Sequence, residues 1–133
     1  MTEERSSRPD SIAVRLQATG PDEVQRLVAI AALGMCQALR VGGVTPDYAC
    51  QKLLGPALLT LLERSGALPE LRDAIHLATE LGDVADFVPG KLAGSIADIE
   101  SALLTALGKL ASSSPPGGRW LVVAPRDGTS VES

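Results

Sequence analysis

Leu27-Val28-Ala29-Ile30-Ala31-Ala32-Leu33-Gly34-Met35-Cys36-Gln37-Ala38-Leu39 carries one strongly polar side chain, Gln37, in thirteen residues. It follows Pro21-Asp22-Glu23, a helix-opening sequence: proline suits the first helical position, and early acids face the positive end of the helix dipole. A helix that is apolar on nearly every side needs neighbours on nearly every side. The stretch therefore predicts a buried central rod, and around it a mainly α fold, a compact bundle of four to five helices.

The flanking sequence supplies the other helices. The first is expected to end near Arg40, before Gly42-Gly43. Thr45-Pro46-Asp47 repeats the start signal with Thr45 as N-cap, and the helix it opens carries Tyr48, Ala49, Leu53 and Leu54 as far as Gly55. Pro56 opens a segment bearing Leu58, Leu59, Leu61 and Leu62, ended by Gly66. Pro69 to Leu81 reads as a third main helix, closed by Gly82 in a left-handed C-terminal position and followed by a short segment from Asp83 to Val88. Pro89 starts the last long helix, whose Leu92, Ile96, Ile99, Leu103 and Leu110, with Ala106 and Leu107 between, form one apolar stripe, expected to pack antiparallel within the domain, with a dimer seam as the alternative. Gly34, Gly90 and Gly94 each lower helix propensity by about 1 kcal/mol, which predicts close backbone contacts at those positions.

The helical domain is expected over residues 11–111, after a disordered, charged, Ser-rich N-terminus at 1–10. From Ser11 to Ala18 polar and apolar residues alternate, the period of a half-buried strand with Ile12, Val14, Leu16 and Ala18 on its inner side. Residues 112–118 form a Ser/Pro/Gly linker, and residues 119–133 a C-terminal segment and tail holding Trp120, Leu121, Val122 and Val123. Two readings of the Trp120 segment stand side by side: it pairs with the N-terminal strand as a two-stranded element, or it is a tail that docks in a groove on a partner.

One hundred and thirty-three residues make one domain, and 45% hydrophobic composition suffices for a core. Tyr48, Phe87 and Trp120 are the only aromatics, so Leu, Ile, Val and Ala must fill it. A formal net charge of -4 gives no field that attracts phosphate backbones, which argues against a nucleic-acid partner. The apolar runs fall short of the roughly 20 residues of a membrane span, and no apolar region follows the polar N-terminus, so no membrane association is expected. The chain reads as cytoplasmic, with Cys36 and Cys50 as reduced structural thiols. The lack of any Asn, with Arg outnumbering Lys, suggests a GC-rich bacterial genome.

The residues offer little chemistry. His76 is the only histidine, neither cysteine is spaced with the other for a metal, and Gly42-Gly43 and Gly117-Gly118 lack the context of a phosphate loop. The expectation is no enzyme, no cofactor and no metal. One group stands out: Asp73, His76 and Glu80 are three and four apart on one helix side, with Asp83 and Asp86 just beyond. It reads as a solvated acidic helix edge, as a partner-facing acidic patch, or as a cation or catalytic site. The partner-binding candidates are Asp73, His76, Glu80, Asp83, Asp86 and Trp120.

The Leu27 to Leu39 run, followed by Ile75-His76-Leu77-Ala78-Thr79-Glu80-Leu81-Gly82-Asp83-Val84 and then by Ile96 to Leu107, resembles a family of small bacterial proteins known as a domain of unknown function. The resemblance covers roughly residues 12–107 and leaves the Trp120 tail outside. It implies no activity, substrate or cofactor. A small, acidic chain without catalytic residues fits a non-catalytic protein-binding module, in its most concrete form an immunity or antitoxin-like inhibitor of a basic bacterial effector, since acidic inhibitors associate fast with basic sites. The alternative is a structural or regulatory subunit that self-associates through apolar helices, as a homodimer or in a larger complex.

Overall fold

The computed structural model describes residues 12–111 and 118–123, and the chain divides into two units, Gly20–Pro115 and the paired terminal segments Met1–Thr19 and Pro116–Ser133. The expected disordered N-terminus, linker and tail fall outside the described residues, apart from the edges of the linker and tail at Gly118 and at residues 119–123.

The helical unit holds six α-helices among the described residues: α1 (Pro21–Arg40), α2 (Pro46–Lys52), α3 (Pro56–Arg64), α4 (Pro69–Thr79), α5 (Leu81–Phe87) and α6 (Leu92–Leu110), with a 3-10 turn at Pro89–Lys91. Proline opens each of the first four, as its fixed φ and missing N–H allow. Thr45 caps α2, its Oγ1 accepting the Tyr48 N–H at 3.0 Å. Gly42 and Gly66, with φ of 76° and 69°, turn the chain after α1 and α3.

The apolar stripe of the last helix is the axis of the bundle. Ile96, Ile99, Leu103, Ala106 and Leu110 of α6 are buried, and α6 makes its most extensive contacts with α4 and α1. Both run antiparallel to it: Glu70, in the first turn of α4, is paired with Lys109, and Arg26 near the start of α1 donates to the Leu110 carbonyl at 2.7 Å. Leu71, Ala74, Ile75 and Ala78 of α4 complete the centre with Leu54, Leu62 and Leu81. No aromatic residue is buried among the described residues, so aliphatic interdigitation alone sets the density.

Helix α1 corrects the expectation with which the sequence opens. It buries Gln25, Val28, Ala29, Ala32 and Cys36, but Ile30 is 44% exposed and Gly34 lies open to solvent. It packs against α6 and α2 with one side left open, and α6, which contacts both α4 and α1, likewise has an uncovered side. Periodicity measures how much apolar surface a helix has, whereas long-range packing decides which part of it is covered.

The glycine expectations are also corrected. A Cβ at Gly34, Gly90 or Gly94 would meet nothing within 4 Å. The close approaches lie elsewhere: a Cβ at Gly55 would stand 2.6 Å from the Cys50 carbonyl oxygen, and one at Gly82 would stand 3.1 Å from Asp47 Oδ1. Gly82 is therefore no C-terminal stop. It sits in the first turn of α5, where α5 packs against α2, and α4 ends at Thr79 with Glu80 alone between the two helices.

In the terminal unit, β1 (Arg15–Leu16) and β2 (Leu121–Val122) pair antiparallel, with Arg15 opposite Val122 and Leu16 opposite Leu121. The Gln17 N–H donates to the Trp120 carbonyl at 2.8 Å. The Trp120 segment is thus a strand partner. The N-terminal strand is shorter than its alternation predicts, and Ile12, Val14 and Leu16 are exposed, because a two-residue partner strand pairs with only two residues of it.

Candidate functional site

The kink at Glu80 turns the end of α4 into the start of α5, and it decides where the acidic residues point. The Glu80 N–H bonds back to the Leu77 carbonyl, and the Glu80 carbonyl accepts the Val84 N–H, both at 3.0 Å, so the chain changes direction with no loop. Leu81, immediately after, is fully buried and pins the joint to the core. Counting from Glu80, residues 83, 84 and 87 fall at i+3, i+4 and i+7, along one helix side.

That side lines a surface cavity of about 270 Å³ formed by Glu80, Asp83, Val84, Phe87 and Val88. Phe87 is 79% exposed, the most uncovered aromatic among the described residues, and Val88 is exposed beside it. The cavity is lined by three apolar side chains, Val84, Phe87 and Val88, and by two acidic residues, Glu80 and Asp83. Glu80 and Asp83, candidates from sequence, belong to it. Asp73, His76 and Asp86 are exposed but do not line it, and Trp120 is half-buried in the terminal unit. The His76 carbonyl accepts the Thr79 hydroxyl at 2.6 Å, a local bond that steadies the last turn of α4. Phe87, Val84 and Val88 were missed because Gly82 was read as a stop. Once residues 81–87 are taken as helical, the spacing Glu80, Asp83, Phe87 identifies the side directly.

Among the described residues no three His, Cys, Asp or Glu side chains are grouped so as to hold a metal ion. The other ionic contacts join helices. Arg40 forks onto Glu100, Nε to Oε2 at 3.0 Å and Nη2 to Oε1 at 2.5 Å, and Gln37 Nε2 donates to the same carboxylate at 2.8 Å. These bonds, those from Arg40 above all, hold Glu100 below the usual carboxylate range, and Lys109 does the same for Glu70. Burial first, and the Glu100 carboxylate second, push the Cys36 thiol up to about 11. Cys50, whose Sγ donates to the Ala78 carbonyl at 3.4 Å, is raised by burial and by Asp47. Both cysteines are free, and neither has the depressed pKa of a nucleophile.

A family described as "Protein of unknown function (DUF3969)" matches residues 19–122. The chain belongs to this family. The DUF3969 match takes in all six helices and reaches beyond residue 107, so the Trp120 segment, which the resemblance left outside, lies within it. No curated protein and no solved structure matches the chain. No helix among the described residues is long and apolar enough to cross a membrane.

Proposed function

We infer that this DUF3969 chain is a non-catalytic protein-binding module that receives a basic segment with an apolar residue in the Glu80–Phe87 cavity. One observation carries the reading: the most exposed aromatic ring among the described residues lines a surface depression together with two other apolar side chains and two acidic residues. A ring that is free to be desolvated supplies binding energy, and the carboxylates supply orientation and a fast electrostatic encounter. An immunity or antitoxin-like inhibitor of a basic effector, working in the bacterial cytoplasm, is the most concrete form of this function. A structural or regulatory subunit that self-associates is the second reading, favoured by the uncharged outer side of α1.

The test is partner capture by the purified chain at low salt, with melting temperature followed in parallel. Phe87→Ala is expected to weaken capture by roughly 30-fold or more, as truncation of a central aromatic does. The double reversal Glu80→Lys with Asp83→Lys is expected to slow association and remove its salt dependence while stability stays nearly unchanged. Capture that withstands both changes, or a wild-type chain that captures nothing, overturns the reading.

A further inference from the structure

Helix α1 carries no charged residue between Arg26 and Arg40. Val28, Ala29, Ala32 and Cys36 face the core, and at 3.6 residues per turn the opposite side is occupied by Leu27, Ile30, Ala31, Gly34 and Ala38. The solvent side of a surface helix is normally polar. Here it is not, and the monomer leaves it open at Ile30 and at Gly34.

The bonds from Arg26 to the Leu110 carbonyl and from Gln37 and Arg40 to Glu100 set the register of α1 on α6. They bring Ile30 and Gly34 to the level of Leu104 and Gly108 along the pair. On α6 the exposed Ala97, Ser101, Leu104 and Gly108 form an uncharged strip toward α1, with Leu104 at 58% and the exposed Asp98 at its far edge. Each helix thus sets a large aliphatic residue four positions before a glycine: Ile30 before Gly34, and Leu104 before Gly108. A Cβ at either glycine would meet nothing within 4 Å, so both positions leave the helix backbone uncovered beside an exposed aliphatic side chain.

The geometry points to a second copy of this chain as the occupant of the α1–α6 outer face, docked about a two-fold axis. A two-fold interface must be complementary to itself, and a surface that sets an exposed aliphatic side chain on each helix level with an uncovered glycine on the other meets that condition. Charge selects the same occupant. The Arg40–Glu100 pair is closed within the chain, so the face offers nothing to a charged partner and no like-charge repulsion to its own copy. Area sets the strength. Two helices of 20 and 19 residues give a footprint about 30 Å long and about 20 Å wide, roughly 600 Å² per copy. The total of roughly 1,200 Å² lies at the low end of specific interfaces, the range of weak and reversible association. The inference does not rest on the partner reading of the acidic cavity, whose residues lie on other elements.

Sedimentation equilibrium from about 1 to 100 µM, a span that brackets a micromolar Kd, reads the outcome. The wild-type chain is expected to pass from monomer to dimer. Ile30→Glu and Leu104→Glu, both at exposed sites, should weaken dimerisation at least tenfold with folding intact by circular dichroism. Gly34→Leu should weaken it as well, by covering the open backbone, without lowering the melting temperature, which separates docking from folding. The Glu80→Lys, Asp83→Lys double variant should dimerise like wild type, so failure of the cavity reading and failure of this one are distinguishable. A wild-type chain that stays monomeric to 100 µM, or a dimer that all three α1–α6 variants leave intact, overturns the proposal.

Discussion

Replacing Gln25 with Leu tests the joint between the start of α1 and the turn before α4. Gln25 is the buried polar residue of the described core, and its two ends do different things: Nε2 donates to the Pro21 carbonyl at 3.2 Å, and Oε1 accepts the Leu68 N–H at 2.8 Å. Leu conserves the volume and removes both bonds. The Pro21 carbonyl, in an exposed first turn, can turn to water. The Leu68 N–H loses an acceptor in a partly buried setting, a loss of about 1–3 kcal/mol, and the added apolar surface offsets part of it. The net expectation is about 1 kcal/mol, which in a domain of this size lowers the melting temperature by about 5 °C. Urea titration by circular dichroism should shift its midpoint with the slope unchanged. Hydrogen exchange should speed up at the Leu68 amide while the amides of α6 keep their protection. A melting temperature within about 1 °C of wild type, or an undisturbed Leu68 amide, refutes the argument.

Gly34→Ala should raise stability by up to about 1 kcal/mol, since a helical Cβ there meets open space; a loss of stability by thermal melting would contradict the open position. Native protein at neutral pH should react slowly at both thiols, Cys36 slower than Cys50, and should yield two free thiols on unfolding without reductant; a protected pair counts against the reduced state. The depressed Glu70 and Glu100 contribute stability that is fully present above the ordinary value of 4.5 and is lost as pH falls through their lower folded values. The melting temperature should therefore fall below about pH 4.5, less steeply in Glu100→Gln and in high salt, and an unchanged slope in that variant would remove Glu100 from the account. Elemental analysis after dialysis should find no stoichiometric metal, and zinc or manganese lost on His76→Ala would reopen the question of catalysis.

Helix starts were legible because their causes are local. Thr45-Pro46, Pro56 and Pro69 announce themselves through a hydroxyl, a fixed φ and a missing donor, and each opens a helix at its expected place. The α6 stripe was legible for a similar reason, since its large residues at 96, 99, 103 and 110 recur at helical spacing and are the ones buried. The place of α1 was not: with apolar residues all round, its sequence is compatible with any side facing inward, and contacts with α6 and α2 made the choice. Gly82 misled because the same residue type serves as a stop and as a spacer. What distinguishes the two is Asp47, thirty-five positions away in sequence and 3.1 Å from where a side chain would begin. The same misreading hid Phe87, because it left no room for α5 directly after the end of α4.

The all-aliphatic core has an optical consequence. The helical unit buries no indole, phenol or phenyl ring among the described residues, so its melting has little to report in near-ultraviolet absorbance or emission. The single tryptophan sits beside a strand pair of two residues a side, a length that is marginal by itself in water. Fluorescence and far-ultraviolet dichroism recorded on one heated sample therefore watch different events. An emission change that precedes the loss of helix signal measures the opening of that strand pair, and the gap between the two curves is a direct reading of how independently the chain's ends come apart.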